Sequence, residues 1–136
     1  MGADLALDAR DPGTVEGILA ATEGDGVEVV LEMSGAQAAL DQALAAITRG
    51  GRISLLGIFG EPVRVDLSDF VIQKGLRIYG IYGRRIYDTW ERTQALLRSG
   101  GLDVTPIITH RLDLADWEQG FDLLASRHAG KVVLLP

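Results

Sequence analysis

The chain of 136 residues is long enough for one domain with a real core, and its 47% hydrophobic content suits a packed α/β protein. Thirteen basic against nineteen acidic residues leave a net charge of −6, which argues against a nucleic-acid or anionic-membrane partner, since either needs a basic face. Cysteine is absent, and with it disulfides, a thiolate nucleophile and cysteine metal ligands.

The opening residues carry acids early and show no basic-then-apolar leader pattern. No apolar run approaches the roughly 20 residues needed to span a bilayer. The expectation is a soluble, cytoplasmic protein whose partners include neither nucleic acid nor membrane.

In chain order, Asp4 to Asp8 reads as a short strand. Asp11-Pro12 reads as a helix start, since aspartate caps and proline fits the first helical position. Val15, Ile18 and Leu19 give that helix an apolar face, and Gly24 with Gly26 ends it. The segment from Val27 to Ile58 is the centre of the pattern. Val27, Val29, Val30 and Leu31 form a short apolar run of the kind buried on both faces of a parallel sheet. Ser34-Gly35 ends it and can cap the next helix. On that helix Ala36, Ala39, Leu40, Ala43, Leu44 and Ile47 share one face. Gly50-Gly51 is expected to stop the helix through a left-handed conformation, and Arg52 to Leu56 forms the next strand. Two strands joined by a helix run parallel. Their ends at Ser34-Gly35 and Gly57-Ile58 therefore open on one edge of the sheet, where ligands of open α/β sheets bind.

Further on, Val63, Val65 and Leu67 alternate, and Phe70 to Ile72 reads as a short helical turn or packed loop. Leu76 to Tyr82 reads as another strand. Asp88 with Glu91 resembles a capping pair for a helix with Trp90, Thr93, Leu96 and Leu97 on one face, closed by Gly100-Gly101. Pro106 to Leu112 is strand-like. Asp113 can cap a helix whose inner face is Leu114, Trp117, Phe121 and Leu124, and Lys131 to Leu135 is a last strand. The order predicts a doubly wound α/β architecture.

Several chemistries are missing from the sequence: a G-x-G-x-x-G turn, a phosphate loop, an H-E-x-x-H zinc helix and a nucleophile elbow. His110, in an apolar strand, reads as a hydrogen-bonded structural histidine, and His128 as a solvated loop residue. Glu32 ends a buried strand; it is either functional or a capping and pairing group. Arg84-Arg85 is either an anion clamp or a solvated or inter-subunit pair.

LEMSGA (Leu31 to Ala36), GGRISLLGI (Gly50 to Ile58), KGLRIYGIYGRR (Lys74 to Arg85) with Thr89-Trp90, PIITHRLDL (Pro106 to Leu114) and GKVVLL (Gly130 to Leu135) occur in one order along the chain. In this the chain closely resembles the C-terminal part of zinc-dependent medium-chain alcohol dehydrogenases, and within them the threonine-oxidising members. The resemblance implies the C-terminal part of a doubly wound Rossmann-type parallel sheet, plus a C-terminal segment of a GroES-like catalytic domain. Residues 1–101 would be the later portion of the NAD-binding domain, and 102–136 the segment returning to the catalytic domain. It implies oxidation of L-threonine to L-2-amino-3-ketobutyrate, with hydride passing to NAD and zinc as Lewis acid. The family's zinc ligands, proton-relay histidine, glycine-rich turn and ribose-binding acid have no counterpart here, so no catalytic and no metal residue carries over. Leu56, Gly57 and Ile58 match the segment that lines the cofactor, and Ile81 with Tyr82 match a second contact near the nicotinamide. Ordinary strand-end packing is the alternative for all five. A homo-oligomer is implied through the strand at Leu76 to Gly80. By itself the chain is expected to be inactive and to bind NAD weakly or not at all. The competing expectations are another polyol or alcohol dehydrogenase, or a non-catalytic remnant serving as an oligomerisation module.

Overall fold

A computed structural model describes residues 2–83 and 85–136. They form two compact units, 2–83 and 85–136.

The first unit holds α1 (Thr14–Ala21), β1 (Val27–Glu32), α2 (Gln37–Ala46), β2 (Ile47–Leu55), a π-helical turn (Leu67–Ile72) and β3 (Arg77–Gly80). Its three strands pair in the order β1-β2-β3, all parallel. Leu40, Leu44, Ile47 and Ile53 form the core, ringed by Val30, Leu55, Phe59, Val65, Phe70 and Leu76. The central helix and strand were thus legible from periodicity, because a fixed apolar stripe must meet the sheet. Lys74 closes the C-terminal end of α2, where its ammonium donates to the carbonyls of Leu44 (2.6 Å) and Ile47 (3.1 Å). Burial, and then the nearby Arg49, lower its pKa.

Four expectations fail in this unit. Asp4 to Asp8 forms no strand. Its end is instead a turn, in which the Asp8 carbonyl accepts from the Asp11 N–H and the Thr14 hydroxyl. Asp11-Pro12 stands ahead of α1, which starts at Thr14 after Gly13; the Asp11 carboxylate takes the Gly13 N–H at 2.8 Å. The sheet is buried on one face rather than two: Val29 is exposed and Leu31 is 62% exposed, because α2 and the π-helical turn cover a single side. Gly50-Gly51 does not stop α2. Ile47, already extended at φ −77° and ψ 138°, does so. The glycine pair sits inside β2, where the pairing jumps from Val27↔Ile47 to Val29↔Arg52. Gly50 takes φ +74° there and donates to the Lys74 carbonyl at 2.7 Å. An irregularity of that kind needs a residue free of the Cβ penalty.

The second unit holds α3 (Asp88–Arg98), a 3₁₀ turn (Thr105–Ile107), β4 (Ile108–Asp113), a second 3₁₀ turn (Leu114–Asp116), α4 (Trp117–Ala125) and β5 (Lys131–Leu135). β4 and β5 are parallel. Asp88 is the first residue of α3 and does not cap it; it pairs with Arg92 at 2.9 Å along the helix. Asp113 makes no side-chain cap bond. The inner face of α4 also differs from expectation. Gly120 is buried against Val132, Leu112 and Leu134, whereas Leu114, Trp117, Phe121 and Leu124 are exposed, Phe121 to 64%. A glycine lets the helix lie close to the two strands, which turns the larger side chains outward. Trp117 and Phe121 there stack edge to face, with ring centroids 5.9 Å apart.

Candidate strand-end site

The three parallel strands of the first unit end at one level. Glu32 lies opposite Leu55, and Leu55 opposite Gly80. The Glu32 carbonyl accepts from the N–H groups of Leu56 (2.9 Å) and Gly57 (3.1 Å), and the Leu55 carbonyl from that of Ile81 (2.9 Å). The segments 32–35, 56–58 and 81–82 therefore leave the sheet side by side. Leu56, Ile58, Ile81 and Tyr82 are all exposed, Tyr82 to 93%, while Gly57 is half-buried. The five residues singled out from the sequence thus share one rim, apolar in side chains and lined by backbone amides.

Glu32 is the group beneath it. Its side chain is only 4% exposed. One carboxylate oxygen, Oε1, accepts from the Ser34 hydroxyl at 2.5 Å, the Ser34 N–H at 2.8 Å and the Gly35 N–H at 2.9 Å. The other, Oε2, is buried with no hydrogen-bond partner. Burial works to raise the carboxyl pKa, but the Ser34 hydroxyl and the two backbone N–H groups outweigh it, so the group stays ionised below the usual carboxylate range. Ser34 therefore serves Glu32 and does not cap α2, whose N-cap is Ala36. The sequence pointed to Glu32 as an acid ending a strand, but not to the three donors, because the turn that gathers them is set by the close packing of Gly35 on Ile58.

A carboxylate with a depressed folded pKa contributes stability above its unfolded pKa and loses it as pH falls through the folded value. Urea unfolding midpoints are accordingly expected to drop more steeply between about pH 5 and pH 3 for the natural chain than for Glu32→Gln. Equal slopes in the two proteins would remove Glu32 as the cause.

The packing at this rim admits only glycine. A Cβ on Gly57 would collide with the backbone N of Gly35 and come within 2.6 Å of Glu32 Oε2. Gly35 holds φ +68°, and a Cβ there would strike the Ile58 carbonyl. Two backbones are thereby brought into direct contact.

Arg85, His110 and His128 belong to the second unit. Arg84 lies outside the described residues. Arg85 pairs with Asp88 at 4.0 Å, both exposed, which is the solvated-pair alternative. His110 Nδ1 lies 2.9 Å from the Thr109 hydroxyl, in keeping with a hydrogen-bonded structural role, and His128 is exposed beyond α4. Among the described residues no group of three or more His, Cys, Asp or Glu side chains converges on a point. The donor set for zinc is not met by these residues. No helix among them is long and apolar enough to cross a membrane.

Comparison with known proteins matches the same pattern. The zinc-binding dehydrogenase family model covers residues 1–99. The chain is 43% identical over its whole length to the L-threonine 3-dehydrogenase of Bacillus velezensis, and 42% identical to that of Thermococcus kodakarensis. It spans 39% of the length of each. Among solved structures, an alcohol dehydrogenase from Thermotoga maritima superposes with a TM-score of 0.84 at 29% identity, over 99% of this chain and 38% of that one. The 2R,3R-butanediol dehydrogenase of Bacillus subtilis superposes with a TM-score of 0.83 at 27% identity, over 99% and 38%. Parallel strands ending on a common rim, the sequence blocks around that rim and the family match agree: the chain belongs to the zinc-binding dehydrogenase family.

Proposed function

We propose that this chain is the C-terminal part of an NAD- and zinc-dependent dehydrogenase that oxidises L-threonine to L-2-amino-3-ketobutyrate. In that reading Leu56, Gly57, Ile58, Ile81 and Tyr82 bind the nicotinamide end of the cofactor. The observation that supports it most directly is the meeting of segments 56–58 and 81–82 at neighbouring parallel strand ends. The fit to a planar amide-bearing ring rests on two features of the rim. Exposed aliphatic side chains at Leu56, Ile58 and Ile81 offer an apolar face, and Tyr82, 93% exposed, adds an aromatic ring beside them. When bound, NAD supplies the hydride acceptor. The chain's own residues orient it: the sheet ladder fixes the level of Leu56 and Ile81, and Glu32 fixes the turn beside them. Zinc and its ligands belong to the part of the enzyme outside this chain, and residues 102–136 return to the domain that carries them. Self-association belongs to the same reading, with β3, exposed along its length and paired on one side only, as the edge that meets a second copy.

Threonine is preferred over other alcohols because two relatives named for it are 43% and 42% identical to the chain, against 27% for the butanediol dehydrogenase of known structure. The test is NADH formation by the complete protein carrying this chain, with L-threonine, sorbitol and 2,3-butanediol offered separately. Turnover highest with threonine supports the reading. A preference for a polyol moves the substrate to the other branch, and no turnover with any alcohol leaves a non-catalytic assembly module. The chain by itself is expected to give none.

A further inference from the structure

We propose that Glu32 acts as a charge-setting residue beneath the rim, and that its buried carboxylate favours the oxidised, cationic nicotinamide over the reduced, neutral one. The proposal rests on the reading above that the nicotinamide lies at this rim.

Holding the Ser34-Gly35 turn engages only one of the two carboxylate oxygens. Here Oε1 takes all three donors, and Oε2 is left buried with none. No cationic side chain pairs with Glu32 among the described residues; the ion pairs there involve Arg10, Arg85 and Arg92 with Asp8 and Asp88. The negative charge is therefore balanced by hydrogen-bond dipoles alone. It faces Gly57, whose lack of a side chain places Oε2 directly under the backbone that forms the rim. Water does not reach that oxygen, and a buried charge is screened by salt much less than one on the surface. A ring that carries a positive charge gains from this field, and a neutral ring does not. The net −6 charge of the chain adds a field of the same sign but is spread over the surface, where salt screens it.

Oxidised and reduced cofactor differ in that ring charge and share the rest of the molecule. Their ratio of affinities therefore isolates the charge from any general loosening of the site. Dissociation constants for NAD and NADH would be measured by calorimetry on the complete protein, in the natural form and as Glu32→Gln, Glu32→Asp and Ser34→Ala. Glu32→Gln keeps an acceptor for the turn and removes the charge. It is expected to weaken NAD binding about tenfold more than NADH binding. Ser34→Ala disturbs the turn and keeps the charge, so it should weaken both forms alike. Glu32→Asp also keeps the charge and should hold the natural ratio even where both affinities fall. If Glu32→Gln leaves the ratio unchanged, Glu32 is a turn brace and the proposal is overturned. Should Glu32→Gln fail to fold, a ratio lost in Glu32→Asp overturns it equally. A natural protein that binds neither form refutes the placement of the cofactor itself, which is a separate result from an unchanged ratio.

Discussion

Gly57→Ala is expected to lower stability by about 2–3 kcal/mol. The added methyl would meet Gly35 N, Gly35 Cα and Glu32 Oε2 at once. None of these can retreat easily. Gly35 is already in the left-handed region and seated on the Ile58 carbonyl, and Glu32 is held by three donors. The backbone of 56–58 must therefore lift, which breaks the bonds from the Leu56 and Gly57 N–H groups to the Glu32 carbonyl. Gly60→Ala is the matched control, because no atom lies within 4 Å of its added methyl. It should change stability by less than about 0.5 kcal/mol. Urea denaturation of the two variants beside the natural protein measures the difference, and equal midpoints for both variants would show that the rim is not packed as described.

Ile53→Ala should destabilise the first unit by about 3–4 kcal/mol. Ile53 is fully buried, at 0% exposure, in the middle strand, opposite Val30 on one side and Ile78 on the other. It packs on Leu40, Leu44 and Ile47, so a cavity there cannot be filled without moving α2. Typical domains have only about 5–15 kcal/mol in total, and this core centres on four buried residues. Ile78→Ala, on the exposed edge strand, should have an effect below about 1.5 kcal/mol. Similar losses at the two positions in thermal or urea unfolding would mean that the core does not centre on Ile53.

Much of this molecule follows from its sequence. The α2 stripe, the β2 and β3 strands, the helix over Asp88 to Arg98 and the last strand are local patterns, and each follows from the spacing of apolar residues along a single element. The rim was legible for the same reason: strands joined by a helix run parallel, so their ends must share an edge. What the sequence could not determine were relations between elements. Whether Gly50-Gly51 ends a helix or bends a strand depends on where Ile47 leaves the helix and on the Lys74 carbonyl, 24 residues from Gly50. Which side of α4 faces its sheet was decided by Gly120 allowing close approach to Val132 and Leu134, against the stripe of larger residues that periodicity favoured. Glu32 is the clearest case. As a letter in a strand it was ambiguous between a cap and a functional acid. Only the fold, by seating Gly35 on Ile58 and Gly57 on Glu32, gathers three donors on one oxygen and buries the other without a partner. Local periodicity is encoded residue by residue, whereas burial and pairing of a charge depend on which distant backbones close over it.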